Sequence, residues 1–428
     1  MIVDFKEFIV TDNTKEWSNG LFFLKTYQNE KYLKNSFIDE DKIITPSELI
    51  KKLSLEKIKV VGVTGTNGKT TTTAAIYSLL LDLGKKTALQ GTRGFFIDDK
   101  KIEDKSLTTP PILKNIKHMY QALSENCEYF VMEVSSHAIA QKRVEGIDFS
   151  LKVFTNISQD HLDFHKTMKN YIDTKNSFFA DETPKLINKD DSYVKFNIKN
   201  AYTYGLENPS TFQVMAYSIE KGISAVIRFA NEIADFHSCL MGLFNIYNLT
   251  AAIGAVKILE NEPLDKICEN IENFAGVSGR MEVINHEPAI IVDFAHTPDG
   301  MKKVFESFPG KDLVCVFGAG GDRDRKKRPI MGEIASRFCK KIYITSDNPR
   351  NEKPKKIMEE IYEGVVEKDK AILIENRKEA IRKAIEDMKE DEVLLILGKG
   401  DETYQEVNGK KISFDDREIA RELLGIRN

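Results

Sequence analysis

The sequence predicts an α/β protein built from three domains of unequal size, the central one organised around a mostly parallel sheet. Three observations lead to this fold class. The chain has 428 residues, which at roughly 150 residues per domain corresponds to two or three domains. From about Lys57 onward, short β-branched runs alternate with longer amphipathic segments, the pattern of a parallel sheet flanked by helices. A second series of the same kind begins near Arg280.

The composition is that of a soluble globular protein, with 41% hydrophobic and 30% charged residues. The 62 basic and 66 acidic residues give a net charge of −4, so no overall charge favours nucleic acid or an acidic membrane. No signal peptide is evident, and every apolar run is far shorter than the roughly 18 residues that span a bilayer. The five cysteines are scattered and form no CxxC pair, as in reduced cytosolic proteins. We therefore expect a cytoplasmic protein without nucleic-acid or membrane partners.

We divide the chain into an N-terminal domain at residues 1–55, a central domain at 56–278 and a C-terminal domain at 279–428. The N-terminal segment precedes the first strand of the central series and is too short for a large core of its own. We expect a small α/β domain there.

The strongest local signal is V-V-G-V-T-G-T-N-G-K-T-T-T at residues 60–72. It lies between a predicted strand, I-K-V-V-G-V, and a predicted helix that ends at Gly84. Val63 stands where the complete GxxxxGK[ST] pattern requires glycine, so a glycine-rich turn with a helix cap is the alternative. The strand and helix on either side favour a phosphate loop, which makes the central sheet one of the P-loop type.

Four residues of this loop, two of them glycines, suit the binding of a phosphate group. Gly65 and Gly68 allow close backbone approach, and amides at the helix start face an anion. Lys69 supplies positive charge, and the Thr70 hydroxyl can reach Mg²⁺.

A second motif, M-E-V-S-S-H-A-I-A-Q-K-R-V at residues 132–144, follows an apolar strand. Glu133 lies at the end of this strand, where a carboxylate is either a metal ligand or a costly burial. We expect a loop after it with four polar candidates, for which a plain polar surface is the alternative: Ser135, His137, Gln141 and Arg143.

The next strand, L-K-V-F-T-N-I, leads to D-H-L-D-F-H at residues 160–165. Two histidines and two aspartates within six positions are candidate metal ligands, but no cysteine or third histidine follows at a zinc spacing. A hard cation beside phosphate oxygens fits these residues better.

Farther on, between about Tyr202 and Ser238, short alternating strands with a turn at Lys221-Gly222 predict an antiparallel flap on the same domain.

The C-terminal series predicts a Rossmann-like α/β domain. Its strands are A-I-I-V-D-F-A-H, D-L-V-C-V-F-G-A-G-G, K-I-Y-I-T-S-D-N, A-I-L-I-E-N and D-E-V-L-L-I-L-G-K-G, and a helix is predicted from Arg377 to Met388. Ligands of such sheets bind at the carboxyl ends of the strands.

Three loops follow these strands. Residues 318–329 place five positive charges within the six positions from 323 to 328, 346–350 read S-D-N-P-R, and 398–405 read G-K-G-D-E-T-Y-Q. Arginine suits carboxylate recognition because its planar fork bonds bidentately. We interpret the basic residues as receptors for carboxylates and phosphates of small substrates; solvated charges on capping turns are the alternative.

Taken together and in this order, the motifs resemble those of the Mur ligases. The resemblance extends from about residue 60 to 405 and rests on TGTNGKTTT, MEVSSHxxxQxRV, DHLDFH, FNIYN (244–248), GRME (279–282), VDFAHTPD (292–299), GGDRDxxKRP, DNPR and GKGDE. The loop of that family has the short form G-T-N-G-K-T, so Val63 no longer counts against nucleotide binding.

The resemblance implies a ligase that adds the third amino acid to UDP-N-acetylmuramoyl-L-alanyl-D-glutamate in peptidoglycan precursor synthesis. ATP phosphorylates the D-glutamate side-chain carboxylate, and the amine of the incoming amino acid then displaces phosphate from the acyl phosphate. Small molecules are the only partners implied, and we expect a monomer.

The resemblance also implies the residues at the nucleotide and the metal. The ATP site would comprise Thr64, Gly65, Thr66, Asn67, Gly68, Lys69, Thr70, Asn248, Arg280, Asp293 and His296. Thr70 and Glu133 would hold one Mg²⁺ and His161 a second. Lys175 lies 14 residues after His161, the family's spacing for a lysine that CO₂ converts to a carbamate, an anionic Mg²⁺ ligand. The catalytic set is then Lys69, Glu133, His161 and Lys175.

For the nucleotide-sugar dipeptide the resemblance implies contacts with Thr108, Thr109, Ser135, Gln141 and Arg143. The uridine end belongs to the N-terminal domain, where D-N-T stands roughly in place of the family's D-S-R and makes Asn13 the candidate.

The amino acid implied is meso-diaminopimelate, because family members that add it carry DNPR. Arg350 can bind the extra carboxylate that lysine lacks. The implied site comprises Arg323, Asp347, Asn348, Pro349, Arg350, Gly398 and Glu402, the last two near the distal ammonium and carboxylate. Asp401 departs from the histidine of the usual G-K-G-H-E.

Two alternatives remain open from the sequence. One is a lysine-adding or folylpolyglutamate-type ligase, against which DNPR and the peptide-binding motif argue. The other is an inactive nucleotide-binding scaffold, against which the intact Lys69, Glu133, His161 and Lys175 argue.

Overall fold

The computed structural model of the chain describes residues 1–33, 36–98, 100–104, 107–220 and 222–426. They form two compact units. The first comprises Met1–Ser218, Ser224–Ser238 and Ile246–Phe274, and the second Ile219–Ile223, Cys239–Asn245 and Ala275–Asn428. Within the described ranges, no helix is both long enough and apolar enough to cross a membrane.

The first unit begins with a small four-stranded sheet in the order β1-β2-β3-β4, in which β1 is antiparallel and the other strands are parallel. Its strands and helices are β1 (Ile2–Asp4), β2 (Ile9–Thr11), β3 (Phe22–Leu24), α1 (Glu30–Leu33), β4 (Ile43–Ile44) and α2 (Pro46–Lys52). A capping box starts α2: Glu48 N donates to Thr45 Oγ1, and Thr45 N donates to Glu48 Oε2 at 2.8 Å.

The central sheet has eleven strands in the order β15-β14-β13-β12-β11-β10-β5-β9-β6-β7-β8. Its strands are β5 (Lys59–Thr64), β6 (Thr87–Gly91), β7 (Gly94–Ile97), β8 (Lys100–Glu103), β9 (Tyr129–Glu133), β10 (Phe149–Phe154), β11 (Lys185–Asn188), β12 (Ala201–Gly205), β13 (Phe212–Ser218), β14 (Ile223–Phe229) and β15 (Glu232–Ser238). Its helices are α3 (Lys69–Asp82), α4 (Ile112–Ser124), α5 (Ser136–Ala140), α6 (Leu162–His165), α7 (Met168–Ser177), α8 (Leu243–Glu260) and α9 (Leu264–Ile271).

The middle of this sheet is parallel, and β5 lies between β10 and β9. The carboxyl ends of these three strands therefore meet at one edge, where the phosphate loop, Glu133 and Asn156 follow them. The antiparallel pairing predicted between about Tyr202 and Ser238 is present between β13 and β14. However, β12 and β13 pair parallel, and these strands continue the central sheet, which corrects the prediction of a purely antiparallel flap. Of the predicted turn, Lys221 lies outside the described residues.

The N-terminal residues share a hydrophobic core with the central sheet rather than forming a separate one. Val10, Leu24 and Leu49 belong to the same buried cluster as Ile116 and Met119 of α4. The domain boundaries near residues 55 and 279 stay predictions.

The second unit contains a six-stranded sheet in the order β16-β17-β21-β18-β19-β20, parallel except for the β16–β17 pair. Its strands are β16 (Glu282–His286), β17 (Ala289–Asp293), β18 (Leu313–Phe317), β19 (Cys339–Ile344), β20 (Ala371–Leu373) and β21 (Val393–Leu397), and β22 (Tyr404–Val407) and β23 (Lys410–Ser413) form a separate hairpin. Its helices are α10 (Pro298–Glu306), α11 (Lys327–Phe338), α12 (Pro354–Glu363), α13 (Arg377–Asp387) and α14 (Asp416–Leu424).

Helices cover both faces of this sheet. Met301, Met331 and Ile357, from α10, α11 and α12, pack in one buried cluster, and Ile381 and Ile419, from α13 and α14, pack in another. The five predicted strands and the predicted helix are all present, so the predicted Rossmann-like fold is confirmed.

A fully buried ion pair joins the first residues of α13 and α14. Arg377 donates from Nε and Nη2 to the two oxygens of Asp416, at 2.8 and 2.7 Å, and neither side chain is exposed. Arg377 Nη2 also donates to the carbonyl of Leu397, at 2.9 Å, where β21 ends. Two helices and a strand end thus depend on one guanidinium.

We expect Asp416→Ala to destabilise the second unit by about 3–5 kcal/mol, because it leaves a buried guanidinium without its anion. The measurement is the urea midpoint of unfolding, with Glu422→Ala on the same helix as control. Glu422 pairs with Lys378 in solvent, at 3.0 Å, and such pairs contribute about 1 kcal/mol or less. Equal midpoint shifts for the two variants would contradict the role given to the buried pair.

Candidate active site

The loop between β5 and α3 folds around its own lysine. β5 ends at Thr64 and α3 begins at Lys69. The Lys69 ammonium donates to the carbonyl oxygens of Gly65 and Thr66, both at 2.9 Å. The first amides of a helix have no acceptor within it, so this loop offers donors and positive charge to a polyphosphate.

Two glycines let the loop approach its neighbours closely. A Cβ on Gly65, where φ is +154°, would lie 1.8 Å from Thr155 Oγ1. A Cβ on Gly68, where φ is +83°, would lie 2.3 Å from Asn248 Oδ1. Asn248, predicted at the nucleotide, therefore lies against the phosphate loop, where its Oδ1 also accepts from Thr72 Oγ1 at 3.3 Å.

The other loop residues are held by the segment that follows β10. The Thr66 hydroxyl shares a hydrogen bond of 2.8 Å with the Tyr171 hydroxyl. The Asn67 amide nitrogen donates to Asn156 Oδ1 at 3.0 Å, and Thr155 Oγ1 donates to the Asn67 carbonyl at 2.6 Å. The loop conformation is thus fixed by side chains that follow β10 and by Tyr171 of α7.

Glu133, at the end of β9, is 2% exposed and is held by hydroxyl and amide donors. Thr70 Oγ1 donates to its Oε2 at 3.0 Å, and Thr92 donates from its backbone nitrogen to Oε1 at 2.8 Å and from its hydroxyl to Oε2 at 3.2 Å. Those donors carry no positive charge. The carboxylate and the Thr70 hydroxyl are oxygen donors of the kind that Mg²⁺ accepts.

The histidines of D-H-L-D-F-H lie close to this region. His161 has a left-handed backbone, φ 52°, and its side chain is 43% exposed, with Nε2 3.3 Å from Asp160 Oδ2. Its ring centroid lies 4.8 Å from that of His137. His165 is buried instead, bonds Ser136 Oγ through Nε2 at 3.0 Å, and has its pKa lowered to about 4, chiefly by burial. Among the described residues, no three His, Cys, Asp or Glu side chains group into a metal site on their own.

Lys175, on α7, is 1% exposed and reaches the phosphate loop. Its Nζ donates to the Gly65 carbonyl at 2.8 Å, the same oxygen that Lys69 contacts. Burial first, and then the charge of Lys69, lowers the pKa of Lys175 well below its ordinary value. Both effects favour the uncharged form of this amine.

Five of the six residues predicted for the dipeptide substrate are brought together. Ser135 N donates to Thr109 Oγ1 at 2.9 Å, and Arg143 donates to the Thr109 carbonyl at 2.8 Å and to Gln141 Oε1 at 2.7 Å. Thr108 shares a hydrogen bond of 3.0 Å with Thr92. The segment after β9 is not the expected loop throughout: Ser135 caps the short helix α5, because its side chain accepts from an amide of the first turn.

Asn13 is the sixth of these residues and lies after β2. Its Oδ1 accepts from Lys15 N at 3.1 Å in a local turn. The described hydrogen bonds do not join it to the other five. Gln28 of the same N-terminal segment does join them, donating to Gln141 Oε1 at 3.0 Å.

A buried asparagine that the motifs do not include supports this group. Asn115 of α4 donates from Nδ2 to the carbonyls of Pro110 and Arg143, at 3.0 and 2.8 Å. Its Oδ1 accepts from Gln90 Nε2 at 2.9 Å. Nothing in the sequence distinguishes Asn115 from a polar residue on the exposed face of a helix.

The remaining residues predicted at ATP lie in the second unit. Asp293 accepts from the backbone nitrogens of Met281 and Ala295, at 2.8 and 2.7 Å. Burial raises its pKa, and the nearby Arg280 opposes that shift. The Arg280 guanidinium lies 4.3 Å from the ring centroid of Phe294, and His296 Nδ1 lies 2.9 Å from the Phe294 carbonyl oxygen.

The residues of DNPR and GKGDE also come together in the second unit. Asn348 Nδ2 donates to Glu402 Oε2 at 2.8 Å, and the fully buried Lys399 donates to Asn348 Oδ1 and Glu402 Oε2, at 3.1 and 3.2 Å. Gly398 N donates to the Asp293 carbonyl at 3.0 Å. Asp347 is buried, with Oδ2 4.0 Å from Arg377 Nη1.

Pro349 leads into Arg350, whose guanidinium donates to Gly321 O at 2.8 Å and to Glu406 Oε2 at 3.2 Å. Sequence reasoning missed Lys399 and Glu406. Lys399 lies inside GKGDE and could have been proposed, whereas Glu406 depends on the pairing of β22 with the DNPR loop.

The basic run at 323–328 is only partly available to ligands, which corrects its interpretation as a receptor. Arg328 is fully buried and pairs with Glu352 and Glu360, at 2.8 and 2.6 Å, and Arg325 also pairs with Glu360. Arg323, the residue predicted for the amino acid, is exposed.

Comparisons with known proteins show the family of the chain. The Mur ligase middle domain matches residues 63–256, and the Mur ligase, glutamate ligase domain matches residues 279–400. The chain is 52% identical over 417 residues to the UDP-N-acetylmuramoyl-L-alanyl-D-glutamate–2,6-diaminopimelate ligase of Wolinella succinogenes, covering 97% of this chain and 96% of that one. It is 49% identical to the ligase of the same name from Helicobacter pylori, covering 96% and 95%.

Two solved structures have a fold similar to that of this chain. A structure of a ligase with that name has a TM-score of 0.68 and 28% identity, and covers 97% of this chain and 94% of its own. Mycobacterium tuberculosis folylpolyglutamate synthase complexed with ADP and AMPPCP has a TM-score of 0.68, covering 90% and 95%. Its 17% identity shows a shared fold alone.

We expect Gly65→Ala to weaken binding of a non-hydrolysable ATP analogue more than about tenfold, a loss of roughly 1.4 kcal/mol. The added Cβ would lie 1.8 Å from Thr155 Oγ1, so the loop has to move. Calorimetric titration measures the affinity.

The matched control is Gly84→Ala. Gly84 also has a positive φ, +76°, but its Cβ would have no neighbour within 4 Å. We expect a modest loss of stability, about 1 kcal/mol, and unchanged nucleotide affinity. Unchanged affinity in Gly65→Ala would contradict the role given to this loop.

Proposed function

Because the chain belongs to the Mur ligase family, we propose that it adds meso-diaminopimelate to the D-glutamate side-chain carboxylate of UDP-N-acetylmuramoyl-L-alanyl-D-glutamate. ATP is converted to ADP and phosphate, and the product is a peptidoglycan precursor. The observation that carries the proposal is that relatives about half identical over nearly the whole chain are named for this ligation. We further propose that the protein acts in the cytoplasm as a monomer.

The chemistry has two steps. A D-glutamate side-chain oxygen attacks the γ-phosphorus of ATP, the bond to the ADP oxygen breaks, and an acyl phosphate forms. The amine of meso-diaminopimelate then attacks the acyl carbon, the amine loses a proton, and the carbon–oxygen bond breaks to release phosphate. The first step brings two anions together, and the Lys69 ammonium offsets their repulsion.

In the first unit, the residues proposed for the nucleotide are the phosphate loop, residues 64–70, and Asn248. In the second unit, Arg280, Asp293 and His296 are the residues proposed for it. The 2.3 Å approach of a Gly68 Cβ to Asn248 Oδ1 supports a role for Asn248 beside the phosphates. The planar contact between Arg280 and Phe294 supports a role for that pair at a flat group such as a base.

Thr70, Glu133, His161 and a carbamate on Lys175 are the proposed Mg²⁺ ligands. The donor set fits, because the Glu133 carboxylate receives only uncharged donors and leaves its charge for a cation. Bound Mg²⁺ would neutralise phosphate charge. The protein residues fix the carboxylate and hydroxyl in place before the nucleotide arrives.

Two features support the carbamate. Burial and the charge of Lys69 lower the pKa of Lys175, which favours the uncharged amine, the form that attacks CO₂. Lys69, which contacts the same carbonyl oxygen, would then stabilise the resulting anion instead of opposing a second cation.

The proposed dipeptide site consists of Thr108, Thr109, Ser135, Gln141 and Arg143, with Asn13 toward the uridine. Arg143 is oriented by the Thr109 carbonyl and Gln141, and such an orientation suits an anionic ligand. The proposed amino-acid site consists of Arg323, Asp347, Asn348, Pro349, Arg350, Gly398 and Glu402.

Phosphate release tests the function. With ATP, Mg²⁺ and the UDP-dipeptide, we expect meso-diaminopimelate to release phosphate at a rate far above that with lysine. Equal rates with the two amino acids would contradict the proposed substrate.

Arg350→Ala should raise KM for meso-diaminopimelate by about tenfold or more, because it removes a charge-assisted hydrogen bond. Arg382→Ala is the control, because Arg382 pairs with exposed glutamates of its own helix.

The carbamate has its own test. We expect Lys175→Ala to lose activity, and acetate or formate to restore part of it by supplying a carboxylate where the carbamate stood. Lys169→Ala on the same helix is the control, since Lys169 is exposed. An active Lys175→Ala enzyme that does not depend on CO₂ would refute the carbamate.

A further inference from the structure

Three buried polar side chains form a hydrogen-bonded chain that ends at two segments of the proposed dipeptide site. Asn115 and His118 lie three residues apart on α4, so they share one face of the helix, and Gln90 of β6 bonds to both. These asparagine, histidine and glutamine side chains are 0%, 1% and 1% exposed. Buried polar atoms are costly unless they are hydrogen-bonded, so the three residues depend on one another.

The direction of every bond in this chain follows from its last link. Asn115 faces the carbonyl oxygens of Pro110 and Arg143, at 3.0 and 2.8 Å, and because both oxygens only accept, Asn115 must present Nδ2 to them. Its Oδ1 then faces Gln90, which donates from Nε2 at 2.9 Å. Gln90 Oε1 lies 2.6 Å from His118 Nδ1 and can only accept, so Nδ1 carries the hydrogen.

The ring of His118 is held in place without losing that hydrogen to another partner. It stacks on Phe95, with the ring centroids 4.1 Å apart and the planes 2° from parallel. Its Nε2 lies 3.3 Å from Glu103 Oε2 but makes no hydrogen bond to the part of the chain that the structure describes. Burial lowers the pKa of His118 to about 4, against the opposing charge of Glu103, which favours the neutral ring.

The other end of the chain joins two segments that carry residues of the dipeptide site. Pro110 directly follows Thr108 and Thr109, and Asn115 links its carbonyl to that of Arg143. The Arg143 guanidinium in turn donates to the Thr109 carbonyl at 2.8 Å. The same two segments are therefore joined at two points. A rotated Asn115 amide would turn its own oxygen toward two carbonyl oxygens and leave them without a donor.

We propose that His118 is a positioning residue for the dipeptide substrate. Through Gln90 it fixes the direction of the Asn115 amide. That amide sets the spacing between the segments that carry Thr109 and Arg143. Without the Nδ1 donor, the Gln90 amide can turn its nitrogen away from Asn115, which then loses the partner of its Oδ1. The inference rests on the proposed function, and the loss of His118 should affect binding of the UDP-dipeptide without affecting the phosphate loop.

Two substitutions of His118 separate the hydrogen bond from the packing. His118→Phe keeps a flat ring against Phe95 and loses the donor. His118→Asn keeps an amide donor attached to Cγ, as Nδ1 is, and loses the ring. Phosphate release with ATP, meso-diaminopimelate and the UDP-dipeptide gives kcat and KM for each substrate, and thermal unfolding gives Tm.

We expect His118→Phe to raise KM for the UDP-dipeptide about threefold to tenfold, the range for one buried hydrogen bond. The value of kcat and KM for the other two substrates should stay nearly unchanged. His118→Asn should lower Tm more than His118→Phe does, because it leaves a cavity, and yet keep KM for the UDP-dipeptide close to that of the wild type.

A double variant and a control complete the test. If His118 acts only through Asn115, His118→Phe combined with Asn115→Leu should raise KM no further than Asn115→Leu alone. Lys185→Met is the control, because Lys185 is also fully buried and donates to three backbone carbonyls. It lies on β11, which three strands separate from β6 in the sheet. We expect it to lower Tm and leave KM unchanged.

Three outcomes would overturn the proposal. These are an unchanged KM for the UDP-dipeptide in His118→Phe, independent effects that multiply in the double variant, and a KM that follows Tm across His118→Phe, His118→Asn and Lys185→Met. In the last case the residues would only support the fold. A wild-type protein that releases no phosphate in response to the UDP-dipeptide would instead contradict the proposed function itself, so the two failures are distinguishable.

Discussion

Two lysine side chains donate to a single backbone oxygen, and the chemistry of the first unit depends on which of the two carries the positive charge. Lys69 and Lys175 both donate to the Gly65 carbonyl, at 2.9 and 2.8 Å. Two ammonium groups on one acceptor repel each other, and burial removes the water that would screen them. Burial and the charge of Lys69 together lower the pKa of the more buried Lys175, so positive charge is more easily held on Lys69 than on Lys175. Beside this loop stands the Glu133 carboxylate, whose described hydrogen-bond donors, Thr70 and Thr92, carry no charge.

The elements of the fold were predictable where the signal is local. The phosphate loop, the strand before it and the helix after it lie within some 25 residues, and their glycines, lysine and threonines define the motif without help from distant chain. The strands of the C-terminal sheet were predictable for the same reason, as short apolar runs between amphipathic helices.

Features that depend on distant residues were not predictable. Arg328 lies in a basic run of the sequence, yet its side chain is fully buried and pairs with Glu352 and Glu360. No local sequence pattern links these three positions. Asn115 is one of many polar residues on helices, and only the fold brings it to the Pro110 and Arg143 carbonyls. Glu406 requires the register between β22 and the DNPR loop. In each case the contacts of the residue are made with positions distant in the sequence, so they can be read only from the folded chain.

The β22–β23 hairpin has a consequence for how such a protein can change. It is a two-stranded sheet that a bridge between Val407 and Arg350 joins to the DNPR loop, and its strand residues are half-buried or exposed. Surface positions of this kind contribute little to stability, so substitutions there are tolerated more readily than in the buried helices and strands. The backbone of the hairpin holds the DNPR loop, since Arg350 N donates to the Glu406 carbonyl and Glu406 N donates to Asn348 Oδ1. These bonds do not involve the side chains of the hairpin, so those side chains can change, in evolution or by redesign, while the loop beside them keeps its position.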